Sequence, residues 1–96
     1  MFMFKELDPL LHSQLRLAIM SLLIGLESAE FTFIKEKTNS TAGNLSVQLD
    51  KLSEAGYLAI DKSFKGKKPV TTCRITKKGI KAFDDYVTVL KQYINK

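Results

Sequence analysis

Between Thr41 and Phe64 the chain reads TAGNLSVQLDKLSEAGYLAIDKSF, and its apolar residues change period part-way along. Up to Glu54 they recur at helical spacing: Leu45, Leu49 and Leu52 share one face, while Gly43, Ser46, Val47 and Asp50 lie opposite, flanked by Asn44 and Lys51. Gly56 can take the left-handed backbone that ends a helix. Beyond it Leu58 and Ile60 alternate with Ala59, Asp61 and Ser63, the period of a strand. The pattern therefore predicts a helix over 41–55 running directly into a strand. The outer face of that helix carries short side chains in place of long solubilising ones, so it can lie close against something flat or grooved. Taken alone, the same face also fits plain solvation.

The rest of the chain supplies a frame for this element. Asp8 followed by Pro9 has the chemistry of a helix start, a side-chain acceptor for free amides and then a ring with a helical φ, which predicts a first helix over 8–26. Its apolar residues fill one face (Leu11, Leu15, Ala18, Ile19, Leu22, Leu26) and spill onto a second (Leu10, Leu17, Met20, Ile24), more than one core needs. Glu27 to Glu30 reads as a polar connection and 32–38 as a short helix. Asn39 suits a left-handed exit, and Ser40 or Thr41 suits the next cap. Helix, tight turn, helix results. After the first strand, Lys65, Gly66, Lys67, Lys68 and Pro69 interrupt the alternation, which resumes over Val70 to Ile75, so a hairpin with a basic tip is expected over 57–75. Thr76 caps a last helix, 77–94, where Ile80, Phe83, Val87, Leu90 and Ile94 form a stripe beside Ala82, Tyr86, Val89 and Tyr93. The expected fold is a single α+β domain over residues 1–96, a length that supports one core.

Charge points to the class of partner. A net charge of +5 and a pI near 9.4 favour an acidic one, nucleic acid or an anionic membrane surface. From Lys62 to Lys81 there are eight basic residues and no acidic one, which favours phosphate contact over a plain solvated loop. The longest apolar stretch, Leu15 to Leu26, is broken by Arg16, Ser21 and Gly25 and falls short of the roughly 20 residues that cross a bilayer, so no membrane partner is expected. A lone Cys73 and a Met1 to Phe4 stretch without the character of a signal peptide point to the cytoplasm.

Other chemistry finds little support. Cys73 and His12 are the only Cys and His and stand far apart, so no metal site is expected, and no cofactor. Cys73 reads as a small buried hydrophobe, and His12 as a polar or helix-packing group. No nucleophile with a base, carboxylate pair or phosphate-cradling glycine loop is recognisable, so an enzyme is not expected.

The order helix, helix, helix, strand, basic turn, strand, helix is that of a winged helix-turn-helix domain. The segments NLSVQLDKLSEAGYLAIDKSFKGKKPVTTCRIT and LHSQLRLAIMSLL resemble the small one-domain winged-helix regulators related to the MarR and ArsR families. Asn44, Leu45, Ser46, Leu49, Leu52, Gly56 and Tyr57 match that group's recognition helix, and Lys62, Phe64, Gly66, Lys67, Pro69, Thr71 and Thr76 match its wing; Cys73 stands where relatives more often carry an aromatic residue. The resemblance implies a dimeric regulator of transcription that binds double-stranded DNA. On this reading the helix 41–55 enters the major groove and the wing 62–71 meets the backbone or minor groove. The residues expected at DNA are Thr41, Gly43, Asn44, Ser46, Val47, Asp50, Lys51, Lys62, Lys65, Lys67, Lys68 and Arg74. Asn44 and Ser46 suit base edges, and Val47 suits a thymine methyl. A reader of Z-form nucleic acid would need an aromatic residue one turn after Asn44 and a Trp in the wing; Gln48 and the lack of Trp argue against it. The rival is a protein-interaction module, which the outward Asp50 favours because a carboxylate opposes phosphates. The surplus apolar stripes of the first and last helices, with the Met1 to Phe4 stretch, predict a homodimer through those helices. Phe31, Phe33, Phe83 and Tyr86 can line an effector pocket, but a role in the core is the stronger expectation, and no small-molecule effector is indicated.

Overall fold

A computed structural model describes residues 4–94. The elements are α1 (Gln14–Leu26), β1 (Ser28–Glu30), α2 (Phe31–Thr38), α3 (Ala42–Glu54), β2 (Leu58–Lys65), β3 (Lys68–Ile75) and α4 (Lys77–Ile94). Residues 1–3 of the apolar Met1 to Phe4 stretch, and 95–96, lie outside the described residues. The three strands form one antiparallel sheet in the order β1-β3-β2. This is the expected α+β winged helix-turn-helix architecture, with two corrections.

The first helix starts at Gln14, not at residue 8. Asp8 does cap a turn: its Oδ1 accepts from the Leu10 amide at 2.9 Å and its carbonyl from His12 at 2.9 Å. The turn does not propagate, because the Leu10 carbonyl, which a continuous helix would give to the Gln14 amide, accepts instead from Arg16 Nε. Ser13, at φ −150°, then re-enters the helix as an extended N-cap. The second correction is β1, which replaces the polar connection read over 27–30. Ser28, Ala29 and Glu30 pair with Arg74, Cys73 and Thr72 of β3, and the Ile75 amide donates to the Glu27 carbonyl at 3.0 Å. Three residues with one apolar side chain carry no readable alternation, so only the partner strand reveals the pairing.

The wing occupies the expected stretch, but its strands run further and its turn is tighter than the sequence suggests. β2 and β3 pair from Leu58↔Ile75 out to Lys65↔Lys68, leaving Gly66 and Lys67 as a two-residue turn. Gly66 has φ 63° at the first central position, a conformation that costs glycine little. Pro69 is tolerated inside β3 because that outer end lies beyond the reach of β1, which pairs only with residues 72–74.

The core draws Leu11, Ile19, Met20, Leu23, Ile34, Leu45, Leu49, Leu52, Leu58, Cys73, Ile75 and Tyr86 together. Leu23, on neither stripe read from the sequence, is fully buried, whereas Leu26 is 49% exposed: the packed face of α1 centres on Ile19, Met20 and Leu23. Cys73 is buried as expected, and burial pushes its thiol up to about 11, which keeps it a thiol at neutral pH. At the start of α4, the Thr76 hydroxyl donates to the Gly56 carbonyl at 2.6 Å and accepts from the Gly79 amide at 3.0 Å. A Cβ on Gly79 would lie 2.2 Å from the Tyr57 carbonyl oxygen, so only glycine lets α4 seat this closely on the base of β2. The same corner holds the N-terminal segment, since the Tyr57 hydroxyl donates to Asp8 Oδ2 at 2.7 Å, a bond that raises the phenol to about 12.

Candidate nucleic-acid interface

α3 is held from three sides. Leu45, Leu49 and Leu52 are at most 2% exposed and lock its inner face into the core. The Asn44 amide donates to Thr41 Oγ1 at 3.1 Å, which makes Thr41 the N-cap and engages its hydroxyl. The turn before it depends on Asn39, which takes the left-handed conformation at φ 52°. On the outer face Gly43, Ser46, Val47, Asp50 and Lys51 are all exposed, with Val47 at 50%.

The flank facing α1 holds a hydrogen-bonded chain that sequence reasoning missed. Arg16 Nε donates to the Leu10 carbonyl, its Nη1 donates to Gln48 Oε1, and Gln48 Nε2 donates to Asn44 Oδ1 at 2.9 Å. The four-residue spacing of Asn44 and Gln48 was a usable signal. Nothing in the sequence marks Arg16 as their neighbour, because 32 positions separate it from Gln48.

The wing is held differently. Every side chain from Asp61 to Pro69 is exposed, Phe64 to 72%. The basic run that looks free of acids in sequence meets them in space: Lys65 Nζ lies 2.8 Å from Glu30 of β1, Arg74 is 3.9 Å from Asp61, and Lys81 is 3.0 Å from Asp85. Among the described residues Lys62, Lys67 and Lys68 have no such carboxylate partner. Lys78 sits 5.9 Å above the Tyr57 ring. The twelve residues expected at DNA thus fall into two groups, Thr41 to Lys51 on and around α3 and Lys62 to Arg74 on the wing.

The four aromatics considered for an effector pocket each border a different groove. Phe31 and Phe83 pack on the core, Tyr86 is buried and shares a hydrogen bond with His12 Nδ1 at 3.0 Å, and Phe33 lies under the Lys37 ammonium. An open groove of about 550 Å³ runs between the end of α1 and α4, lined by Ile24, Ile80, Phe83 and Val87 with Lys77, Lys81 and Asp84 at its rim. Among the described residues no group of three or more His, Cys, Asp or Glu is placed to hold a metal, and no helix is long and apolar enough to cross a membrane.

Residues 15–94 match the family model of the winged helix DNA-binding domain. The chain belongs to that family. This winged-helix chain is 42% identical over 81 residues to an uncharacterised protein of Methanocaldococcus jannaschii, covering 84% of the present chain and 88% of the relative. Its fold matches a transcriptional regulator homologue from Pyrococcus horikoshii OT3 with a TM-score of 0.84 and 28% identity, over 90% of this chain and 85% of that one. A mutant of ZitR from Lactococcus lactis, solved in complex with DNA, shares the winged-helix fold at a TM-score of 0.69 and 16% identity, over 98% of this chain and 63% of that one. Recognition helix and wing therefore belong to a DNA-binding domain of the kind that transcriptional regulators carry.

Proposed function

We propose that this chain is a single-domain, homodimeric transcriptional regulator that binds double-stranded DNA sequence-specifically in the cytoplasm. The observation that carries the reading is the pairing of a helix anchored by buried leucines, exposed along a face of small and polar residues, with a hairpin whose Lys62, Lys67 and Lys68 lack carboxylate partners among the described residues. α3 enters the major groove, with Asn44 and Ser46 at base edges, Val47 against a thymine methyl and Asp50 against a cytosine amino group. Gly43 lets the backbone approach, while Thr41 and Lys51 border the contact. Lys62, Lys65, Lys67 and Lys68 meet phosphates, and Lys65 and Arg74 exchange carboxylate partners for phosphate as they do so.

Dimerisation rests on apolar side chains that one chain leaves uncovered: Ile24 (39%), Leu26 (49%), Ile80 (47%) and Ile94 (68%), at the end of α1 and along α4. Two copies would present recognition helices about 34 Å apart, one turn of the duplex. A second reading, a protein-interaction module, is favoured by Asp50 alone.

Titration of labelled duplex at increasing salt separates the two readings. DNA binding predicts a log-log slope of about −0.9 per phosphate contacted. Failure to bind any duplex from a random or genomic pool at low salt would end the regulator reading.

A further inference from the structure

The chain of hydrogen bonds on the flank of α3 has a direction that its first member imposes. A guanidinium has only donors, so the Gln48 amide must turn its oxygen to Arg16 Nη1 and its nitrogen away. That nitrogen donates to Asn44 at 2.9 Å, so Asn44 in turn must direct its oxygen inward, to Gln48. Asn44 is exposed and Gln48 half-buried, so the amide that meets solvent is oriented by one that meets the protein. Arg16 is itself fixed, with its Nε bonded to the Leu10 carbonyl that the interrupted first turn leaves free.

We infer that Arg16 and Gln48 are positioning residues that fix what Asn44 offers to a base, the N–H side of its amide, and so select guanine. Resting on the proposed DNA-binding role, the inference narrows it to one base. Guanine sets two adjacent acceptors in the major groove, O6 and N7, with no donor beside them, so an N–H of the Asn44 amide turned away from Gln48 finds a partner at either. Adenine sets a donor beside its one acceptor, and reading both would draw on the amide oxygen, one of whose two lone pairs Gln48 already occupies.

Substitution at Gln48 can reverse the polarity without touching Asn44. In Gln48→Glu the new carboxylate still accepts from Arg16, but it can only accept from Asn44 as well, so the Asn44 amide must rotate and turn its oxygen outward. The experiment is selection from a random duplex pool with the full chain, followed by affinity measurement on sites differing at one base pair. The wild type is expected to enrich a site containing a guanine whose preference Asn44→Ala abolishes. Gln48→Glu should switch that base to adenine or cytosine, about tenfold against guanine, while preferences set elsewhere on α3 stay as they were. Gln48→Leu and Arg16→Met, which introduce no carboxylate, should lower the guanine preference by about tenfold without replacing it, and they decide the matter if the added negative charge prevents enrichment. Unchanged guanine preference in these variants would overturn the inference while leaving the DNA-binding reading intact. Enrichment of no sequence by the wild type would instead remove the DNA-binding reading, and the inference with it.

Discussion

α3 and the wing lie side by side in the sequence, yet the fold holds them by opposite means. The helix is fastened by three leucines at most 2% exposed, by a threonine cap and by a hydrogen-bonded flank. The wing projects nine consecutive exposed side chains, 61–69, and depends on its strand ladder and a two-residue turn. A base edge is read only by groups held within a fraction of an ångström, whereas a phosphate accepts a long flexible ammonium from many directions. The contrast supports the proposal that the helix reads and the wing clamps.

The largest expected effect tests the bracing itself. Leu49→Ala removes a buried side chain from beneath the proposed reader and should cost about 2–5 kcal/mol of stability. Replacing Lys67 and Lys68 by Ala on the exposed turn should move the denaturation midpoint little. If the wing variant loses comparable stability in urea titrations, the two regions are not held differently and the comparison fails.

Next comes the division of labour on DNA. Asn44→Ala or Ser46→Ala should cost about 1–3 kcal/mol on the preferred site where either contacts a base directly, with little change on random duplex. The double replacement of Lys67 and Lys68 by Ala should instead lower specific and nonspecific affinity together and flatten the salt slope by about 1 per lost phosphate contact. Helix variants that bind the preferred site normally, beside wing variants that alone lose selectivity, would exchange the roles of reader and clamp.

What the sequence disclosed follows the same divide between local and distant causes. The helix over 41–55 was legible because its stripe, its Thr41 cap and its Gly56 exit all act within a few residues, and Gly56 does take a left-handed φ of 82°. β1 and the late start of α1 were not legible, since each depends on a partner far along the chain or on a side chain outside the turn: β3 for the strand, and the bond from Arg16 to the Leu10 carbonyl for the helix. The core face of α1 escaped the sequence for a related reason. Where leucine and isoleucine surround a helix, periodicity does not say which stripe is buried, and Leu23 emerges only from the packing. Charge behaved likewise. The pairing of Lys81 with Asp85 lies one helical turn away and was open to inspection, but Glu30 reaches Lys65 across 35 positions.

That last pair provides the finest test of the comparison. Lys65 stands at the root of the wing turn, and its ammonium is held 2.8 Å from Glu30, although both side chains remain substantially exposed. Exposed ion pairs of this kind contribute at most about 1 kcal/mol, so the contact can be exchanged for a phosphate at small cost. Glu30→Gln removes the competing carboxylate and one negative charge near the duplex while leaving α3 untouched. Affinity for specific and random duplex should therefore rise together, by about twofold to fivefold at low salt, with the gain shrinking as salt is added. In a Lys65→Ala background the Glu30→Gln substitution should make no difference, because the effect of the carboxylate acts through that ammonium. A gain confined to the preferred site would mean that position 30 influences the reader; no gain at all would remove Lys65 from the clamp and leave Lys62, Lys67 and Lys68 to hold the backbone.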